Sequence, residues 1–276
     1  MQELIERVVA YYATQGRHDL PWRQPTPAGG FDPYAILVSE IMLQQTQVLR
    51  VIPKYQAFLE RFPSAAMLAR APLADVLQAW SGLGYNRRAK HLWLAAQQIV
   101  SAGAFPQSIA ELCALPGVGP NTAGAILAYA YNQPSTFIET NIRTVFIHHL
   151  FTDSDKVSDK QLMPYISQAV QRAAHEALEP REWYWALMDY GTYLKQSVGN
   201  VARRSATHSK QSAFEGSRRQ VRGQVLRALA PAAVSRDQLQ RIIPDDRLEA
   251  VLQDLTKEKL IYYQNGWYGL GNMIQS

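Results

Sequence analysis

The chain is almost free of cysteine. Cys113 is the single cysteine among 276 residues, which excludes internal disulfides and any zinc or iron–sulfur site built from cysteine ligands. The chain also lacks a signal-peptide pattern and any apolar run long enough to cross a bilayer. We therefore expect a cytoplasmic protein with no membrane partner. The net charge is mildly positive, +5 at pH 7, which is compatible with nucleic-acid binding but does not require it.

Alternating apolar and polar positions, the pattern of exposed strands, are nearly missing before residue 230. Apolar residues there recur at helical spacing instead, so we predict that residues 1–195 are all-α. Predicted helices cover residues 1–15, 33–47, 52–62, 74–80, 87–101, 121–130, 157–177 and 181–196.

The last part of the chain has a different pattern. Helices are predicted at residues 225–229, 235–242 and 247–258, and Asn265-Gly266 separates two short apolar runs, as in a β-hairpin. Three helices followed by a hairpin are typical of a winged-helix domain. In some proteins such a domain binds DNA, and in others it only mediates contacts with other proteins. Both roles stay open here.

The most informative stretch is Leu-Pro-Gly-Val-Gly-Pro, residues 115–120. Proline and two glycines interrupt one helix, and Pro120 favours the start of the next. The turn exposes backbone N–H groups at a helix N-terminus, where a DNA phosphate can bind. An ordinary helical hairpin has the same pattern, but a carboxylate at Glu139 beyond the second helix favours the functional interpretation. The predicted DNA contacts of this hairpin are Gly117, Val118, Gly119 and Thr122.

This stretch resembles the helix-hairpin-helix DNA glycosylases of the endonuclease III superfamily. Three further segments resemble the MutY-type adenine glycosylases within it: Leu-Pro-Trp-Arg at residues 20–23, Ser-Glu-Ile-Met-Leu-Gln-Gln-Thr-Gln-Val at 39–48 and Gly-Leu-Gly-Tyr at 82–85. The resemblance covers roughly residues 1–195. It implies two helical lobes with a DNA cleft between them, and the pattern of the tail adds a small C-terminal winged-helix-like α+β domain.

The resemblance also gives the expected domain boundaries. Residues 1–24 with 134–196 match the lobe that holds an iron–sulfur cluster in relatives, and residues 25–133 match a six-helix barrel lobe with the hairpin. Residues 197–223 are a basic linker and residues 224–276 the winged-helix-like domain. The implied partner is double-stranded DNA with a mismatched or damaged base, bound by a monomer in the cytoplasm, in association with the nucleoid.

Two carboxylates are the expected catalytic groups. The resemblance implies that Glu40, on a mostly apolar helix, protonates the adenine ring and handles the attacking water. A Glu there can also lie on a solvated face, whereas burial would raise its pKa and suit it to acid catalysis. Glu139 is expected to stabilise the positive charge that develops on the deoxyribose, although a carboxylate at a helix start is also stabilised by the helix dipole alone. Asn121 replaces the nucleophilic Lys of bifunctional relatives, which predicts base removal without Schiff-base strand cleavage. Asn141 either orients water or phosphate or caps its helix.

Other positions are expected to contact DNA. Gln45 and Tyr85 match residues that enter the duplex when a base is flipped out, and Trp22 and Arg23 either line the base pocket or brace the fold. Residues 197–223 are either a solvated linker or a basic strap along the phosphate backbone; we favour the strap. The basic residues expected near phosphates are Arg87, Arg88, Arg203, Arg204, Arg218 and Arg219.

The chain departs from the MutY pattern in three ways. Glu139 stands where the family has Asp, the four cluster cysteines are missing, so no [4Fe–4S] cofactor is expected, and the tail is not the Nudix-like domain that reads 8-oxoguanine. The leading hypothesis is a monofunctional glycosylase that removes adenine opposite guanine or 8-oxoguanine. The alternatives are a glycosylase for another base (thymine or uracil opposite guanine, or a damaged purine) and a DNA-binding protein that has lost catalysis.

Overall fold

The computed structural model describes residues 1–176, 178–207 and 213–272. It is mostly helical, with one small antiparallel sheet, as the sequence predicted. No helix within the described residues is both long and apolar enough to span a membrane. The helices are α1 (Gln2–Gln15), α2 (Pro33–Leu43), α3 (Val48–Arg61), α4 (Ala65–Arg70), α5 (Leu73–Ala79), α6 (Arg87–Ala102), α7 (Ile109–Cys113), α8 (Pro120–Tyr131), α9 (Thr140–Leu150), α10 (Asp159–His175), α11 (Pro180–Ser197), α12 (Arg218–Leu229), α13 (Arg236–Ile242) and α14 (Leu248–Lys257). The strands are β1 (Val234–Ser235), β2 (Ile261–Gln264) and β3 (Trp267–Leu270).

The described residues form two compact units. Residues 1–40, 106–114, 118–176 and 178–207 make up the first unit, and residues 41–105, 115–117 and 213–272 make up the second. The tail helices and the sheet therefore belong to the same unit as α3 to α6. The domain boundaries expected from the sequence stay a prediction.

Helix α11 is at the centre of the first unit, where it packs against α1, α8, α9 and α10. Pro180 occupies its first turn, where a missing N–H costs nothing, and large side chains such as Trp183 and Tyr184 are fully buried. Helix α10 begins with a capping box, in which Ser158 and Gln161 satisfy each other's backbone N–H groups.

The second unit joins the tail domain to the helices that follow α2. Helix α6 packs on α4 and α5, while α12 and α14 pack on each other and on the sheet. The sheet order is β1-β3-β2, with Asn265 and Gly266 at positive φ in the turn between β2 and β3. Two side chains connect the tail to the helices: Gln78 Nε2 donates to Ala230 O at 2.6 Å and Lys90 Nζ donates to Glu258 O at 2.5 Å.

Most predicted helices lie within a few residues of the observed ones, and the exceptions have local causes. Helix α2 ends at Leu43 instead of continuing to residue 47, because Gln45 takes a left-handed conformation with φ +53°. Helix α12 begins at Arg218, seven residues before the predicted start at residue 225. Residues 177 and 208–212, which include Lys210 of the predicted basic segment, lie outside the described residues.

Candidate active site

Glu40 and Glu139, the two predicted catalytic carboxylates, both belong to the first unit and interact electrostatically. Glu40 projects from α2 and keeps only part of its surface accessible. Burial raises the pKa of Glu40 well above its usual range, and the negative charge of Glu139 raises it further. Burial also raises the pKa of Glu139, but the positive charges of Arg143 and Lys195 oppose that effect. The two carboxyls therefore influence each other's ionisation, and both have raised pKa values.

Glu139 is fixed at the point where α9 begins. It is the N-cap residue of that helix, with extended backbone angles and no side-chain capping bond, so its carboxylate is not used to cap the helix. The backbone just before it is held by Asn121 Oδ1, which accepts a hydrogen bond from Ile138 N at 3.2 Å. Asn121, where bifunctional relatives have a nucleophilic lysine, therefore connects the first turn of α8 to the segment that carries Glu139.

Two cations act on Glu139 from neighbouring helices. Arg143, one turn into α9, makes a bidentate ion pair with Asp159, with both N···O distances at 2.7 Å. Lys195 on α11 is half-buried and donates to Asn141 Oδ1. Burial lowers the pKa of Lys195, and the charge of Glu139 raises it in turn. The pKa of Glu139 thus stays raised, but the two positive charges limit the rise.

Asn141 connects α9 to α11, which is neither of the two roles considered from the sequence. Its Nδ2 donates to Met188 O at 3.1 Å and to Thr192 Oγ1 at 3.2 Å, while Lys195 donates to its Oδ1. Gly191 makes this close approach possible, since a Cβ at that position would lie 2.5 Å from the Asn141 carbonyl oxygen.

Lys195 is a residue that the sequence analysis missed. Its signal was a charged side chain on the buried stripe of α11, four residues after Gly191 and eight after Leu187. A lysine on an otherwise apolar stripe requires a partner, and the partners here are Asn141 and Glu139.

Aromatic side chains pack on Tyr129 and Phe137 in the first unit. Tyr129 of α8 is buried, and burial together with the charges of Glu40 and Glu139 raises its pKa well above the usual range, so it is a neutral neighbour. Its ring stacks on Trp185 at 6.0 Å. Phe137 stacks on Tyr184 at a centroid distance of 4.0 Å, and Tyr184 Oη donates to Ser135 O at 2.6 Å. Burial is the largest cause of the raised pKa values of Glu40 and Glu139.

The helix-hairpin-helix predicted at residues 115–120 is present. Ser108 caps α7, and Pro120 starts α8 after Gly117 at φ +82° and Gly119 at φ −99°. The side chain of Val118 is buried, whereas both glycines are exposed. The turn therefore presents backbone rather than side chains to solvent.

Trp22 and Arg23, predicted to line the base pocket or brace the fold, are both buried. Arg23 makes two bonds to the carboxylate of Asp189 on α11, at 2.8 and 2.9 Å, and its guanidinium lies over the ring of Trp185. Arg17 adds a backbone and a side-chain bond to the same carboxylate. Burial raises the pKa of Asp189, but the hydrogen bonds and charges of the two arginines outweigh it, so the net pKa is lowered. Arg23 is therefore committed to an internal ion pair, which corrects its assignment to the base pocket.

In the second unit, Gln45, Tyr85 and Arg87 are exposed, as a DNA contact requires, whereas Arg88 is not. Tyr85 follows Gly82 and Gly84, and all three residues have positive φ. Arg88 is buried and donates to the carbonyls of Ile41, Met42 and Gln44 at the C-terminal end of α2. Burial lowers the pKa of Arg88 to about 10. Its predicted phosphate contact is thus corrected to a structural role: it satisfies carbonyls that α2 leaves open.

The predicted basic strap is not a uniform linker. Residues 201–204 form a 3₁₀ turn, and Arg204 donates to the carbonyls of Phe151, Thr152 and Ser154. Arg218 makes a half-exposed ion pair with Asp254 at 2.5 Å. Arg204 is therefore held inside the first unit. The other predicted phosphate contacts of this segment differ: Arg203 is exposed, and Arg219 lies beside Tyr85.

The residues present do not fit the iron–sulfur cluster that the family resemblance implies. Relatives place cluster cysteines after the end of α11, but residues 196–204 contain none, and Cys113 lies on α7. Among the described residues, no group of three or more His, Cys, Asp or Glu side chains is arranged to hold a metal ion.

Comparison with known proteins places this site in a repair domain. Residues 38–172 match the model of the HhH-GPD superfamily base excision DNA repair proteins. The chain is 42% identical over 146 residues to the adenine DNA glycosylase of Buchnera aphidicola subsp. Baizongia pistaciae, covering 52% of this chain and 40% of that protein. It is 46% identical over 131 residues to the adenine DNA glycosylase of Mycolicibacterium smegmatis, covering 47% of this chain and 43% of that protein. The chain thus spans about two fifths of the length of these relatives.

A solved structure shares the fold. A thermostable thymine-DNA glycosylase superposes with a TM-score of 0.57 at 22% identity, covering 69% of this chain and 85% of that one. At this identity the likeness shows the helical glycosylase fold alone.

Proposed function

Residues 38–172 match the HhH-GPD superfamily of base excision DNA repair proteins, and from this match we propose that the chain is a monofunctional DNA glycosylase. Its reaction is hydrolysis of the N-glycosidic bond of a mispaired adenine in double-stranded DNA, opposite guanine or 8-oxoguanine. The observation that carries this proposal is the pair of partly buried carboxyls, Glu40 and Glu139, which lie in one unit, interact electrostatically and both have raised pKa values.

The two carboxyls divide the chemistry between them. Glu40 in its protonated form donates a proton to the adenine ring, so that the C1′–N9 bond breaks with its electron pair moving to a neutral leaving base. The deoxyribose is left as an oxocarbenium ion, which the anion of Glu139 stabilises. Water adds to C1′ and gives its proton to the Glu40 carboxylate, which restores the starting state. Two carboxyls with split roles are the usual solution for glycosidic cleavage.

The product of this reaction is an abasic site in an intact strand. Asn121 has no amine to form a Schiff base with the sugar, and the amine of Lys195 is bound to Asn141. We therefore propose base removal without lyase cleavage, in a protein that carries no iron–sulfur cluster. We also propose that the protein acts as a monomer, because the chemistry proposed here requires no group from a second chain.

DNA binding is assigned to exposed groups of both units. The bare N–H groups at residues 117–119 suit a phosphate. Tyr85, presented on a glycine-flanked turn, and Gln45 suit the gap that a flipped base leaves in the stack.

A panel of duplexes tests the proposal. Wild-type protein is incubated in single turnover with duplexes carrying A·8-oxoguanine, A·G, T·G, U·G or a matched A·T pair, and each sample is then divided and treated with or without alkali. We expect strand breaks only after alkali and only in the adenine mispairs. Cleavage confined to T·G or U·G would show that the substrate base is thymine or uracil and not adenine. The longer Glu139 would then be adapted to that base. Binding without any cleavage would make the chain a DNA-binding protein and refute the enzyme assignment.

A further inference from the structure

The second unit contains a cavity of about 810 Å³ that none of the catalytic groups uses. One side of it is formed by Gln45 and the Gly82–Tyr85 turn, and the other by residues of α12 with the segment that precedes it. The tail domain thus shares a wall with the turn that we assigned to the DNA duplex.

The charge of this cavity is strongly positive. Arg50 and Arg87 contribute from the helical side, and Arg219, Arg222 and Arg227 contribute from α12. The acidic side chain in the described lining, Glu258, is neutralised by Arg222 at 2.6 Å. A concave site with several guanidinium groups in excess over carboxylates recognises phosphate.

The cavity also has exposed aromatic rings. Phe214 is 56% exposed and Tyr85 is 38% exposed, which is unusual for such large apolar side chains on a protein with ample core. Arg219 connects the two sides, because its Nη1 donates to Tyr85 Oη at 2.7 Å and its guanidinium lies 5.7 Å from the Tyr85 ring centre. Aromatic faces beside a basic groove are the arrangement that holds unstacked nucleotides.

We propose that this cavity binds one unstacked nucleotide of the DNA substrate, with its phosphate on the α12 arginines and its base against Phe214 and Tyr85. The tail domain is then a working part of the DNA site and not a separate module. This inference rests on the proposed function in so far as DNA is the ligand. It adds the chemistry of a second nucleotide site, which lies in the second unit, whereas Glu40 and Glu139 lie in the first.

The test is binding to two duplexes that contain no excisable base. One carries a tetrahydrofuran abasic analogue opposite thymine, so that the thymine has no pairing partner; the other is fully paired. We expect wild-type protein to prefer the first. Phe214→Ala should reduce that preference about tenfold, the size of one lost stacking contact. Arg219→Ala and Arg227→Ala should each lower the slope of log affinity against log salt by about 0.9, the effect of one lost phosphate contact.

Arg241→Ala is the matched control, since Arg241 is an exposed arginine on α13 of the same tail and does not line the cavity. The proposal is overturned when the three cavity variants, shown to be folded by thermal melting, bind both duplexes as the control does. Failure of the glycosylase function is separate: wild-type protein would then excise no base, while the cavity variants would still lose preference and salt slope.

Discussion

Replacing Asp189 by Asn should destabilise the first unit more than any surface charge change, because Asp189 is a buried anion that serves two arginines. The side chains of Arg23 and Asp189 are 3% and 2% exposed, and Arg17 adds bonds to the same carboxylate. Asn keeps the shape but removes the charge and turns an NH₂ group towards guanidinium donors. Breaking one partner of a buried ion pair costs about 3–5 kcal/mol. Because the amide oxygen of Asn remains as an acceptor, we expect the lower end of this range: a loss of about 3 kcal/mol in the free energy of unfolding, measured in urea.

Asp75→Asn is the control for this prediction, because Asp75 forms an exposed pair with Arg61 at 3.1 Å. Such pairs contribute about 0–1 kcal/mol. The pH dependence gives a second readout. The pKa of Asp189 is lowered from 3.8, so its stabilisation is present above that value and is lost as the pH falls through the folded-state pKa. The difference in the free energy of unfolding between wild-type and Asp189→Asn should therefore become smaller in acid. An Asp189→Asn protein as stable as Asp75→Asn at neutral pH would refute the reasoning.

Four further predictions follow from the site. Lys195→Gln keeps a hydrogen-bond donor for Asn141 but removes a positive charge that lowers the pKa of Glu139. The acid limb of the single-turnover pH–rate profile should therefore move to higher pH, whereas Lys195→Arg should leave it in place. Identical acid limbs in wild-type and both variants would show that Lys195 does not act on the site. Glu139→Asp restores the residue that the family has at this position, so excision of a mispaired adenine should be preserved or rise; a slowing by about tenfold or more would show that the site is built around the longer side chain. Gly117→Ala should destabilise the protein by about 1–3 kcal/mol in urea unfolding, since φ is +82° and the new Cβ would lie 2.9 Å from His91 Cβ, while Gly119→Ala meets open space; equal effects would contradict this. Purified protein should contain no iron by elemental analysis, because Cys113 is the single cysteine, and a stoichiometric iron content would show that this expectation is wrong.

The sequence predicted the fold well where the pattern was local. Helical spacing, the Pro and Gly residues of the hairpin and the Asn265-Gly266 turn are short-range signals, and each corresponds to an element of the structure. Strand β1 was missed because two residues give no periodicity; only its pairing with β3 identifies it.

The site was predictable in its residue types but not in its contacts. Glu40 and Glu139 were found from motifs, yet nothing in their spacing could show that burial raises both pKa values, since burial depends on the packing of distant parts of the chain. Arg88 was misassigned for the same reason, because an arginine next to a DNA motif looks like a phosphate contact until the structure shows the carbonyls that it already binds. For Arg23 the sequence left both a base pocket and a bracing role open, and only the structure shows the carboxylate that it binds.

The central claim is that Glu40 delivers the proton that breaks the glycosidic bond. Its most direct test is Glu40→Gln, measured by single-turnover excision and by duplex binding on the same A·8-oxoguanine substrate. Gln preserves the shape and a hydrogen-bonding group but has no acidic proton to donate, so the loss should fall on the chemical step. We predict that excision falls by at least about a hundredfold, the usual share of general acid catalysis, with affinity within about twofold of wild-type. Excision by Glu40→Gln at the wild-type rate would contradict the account.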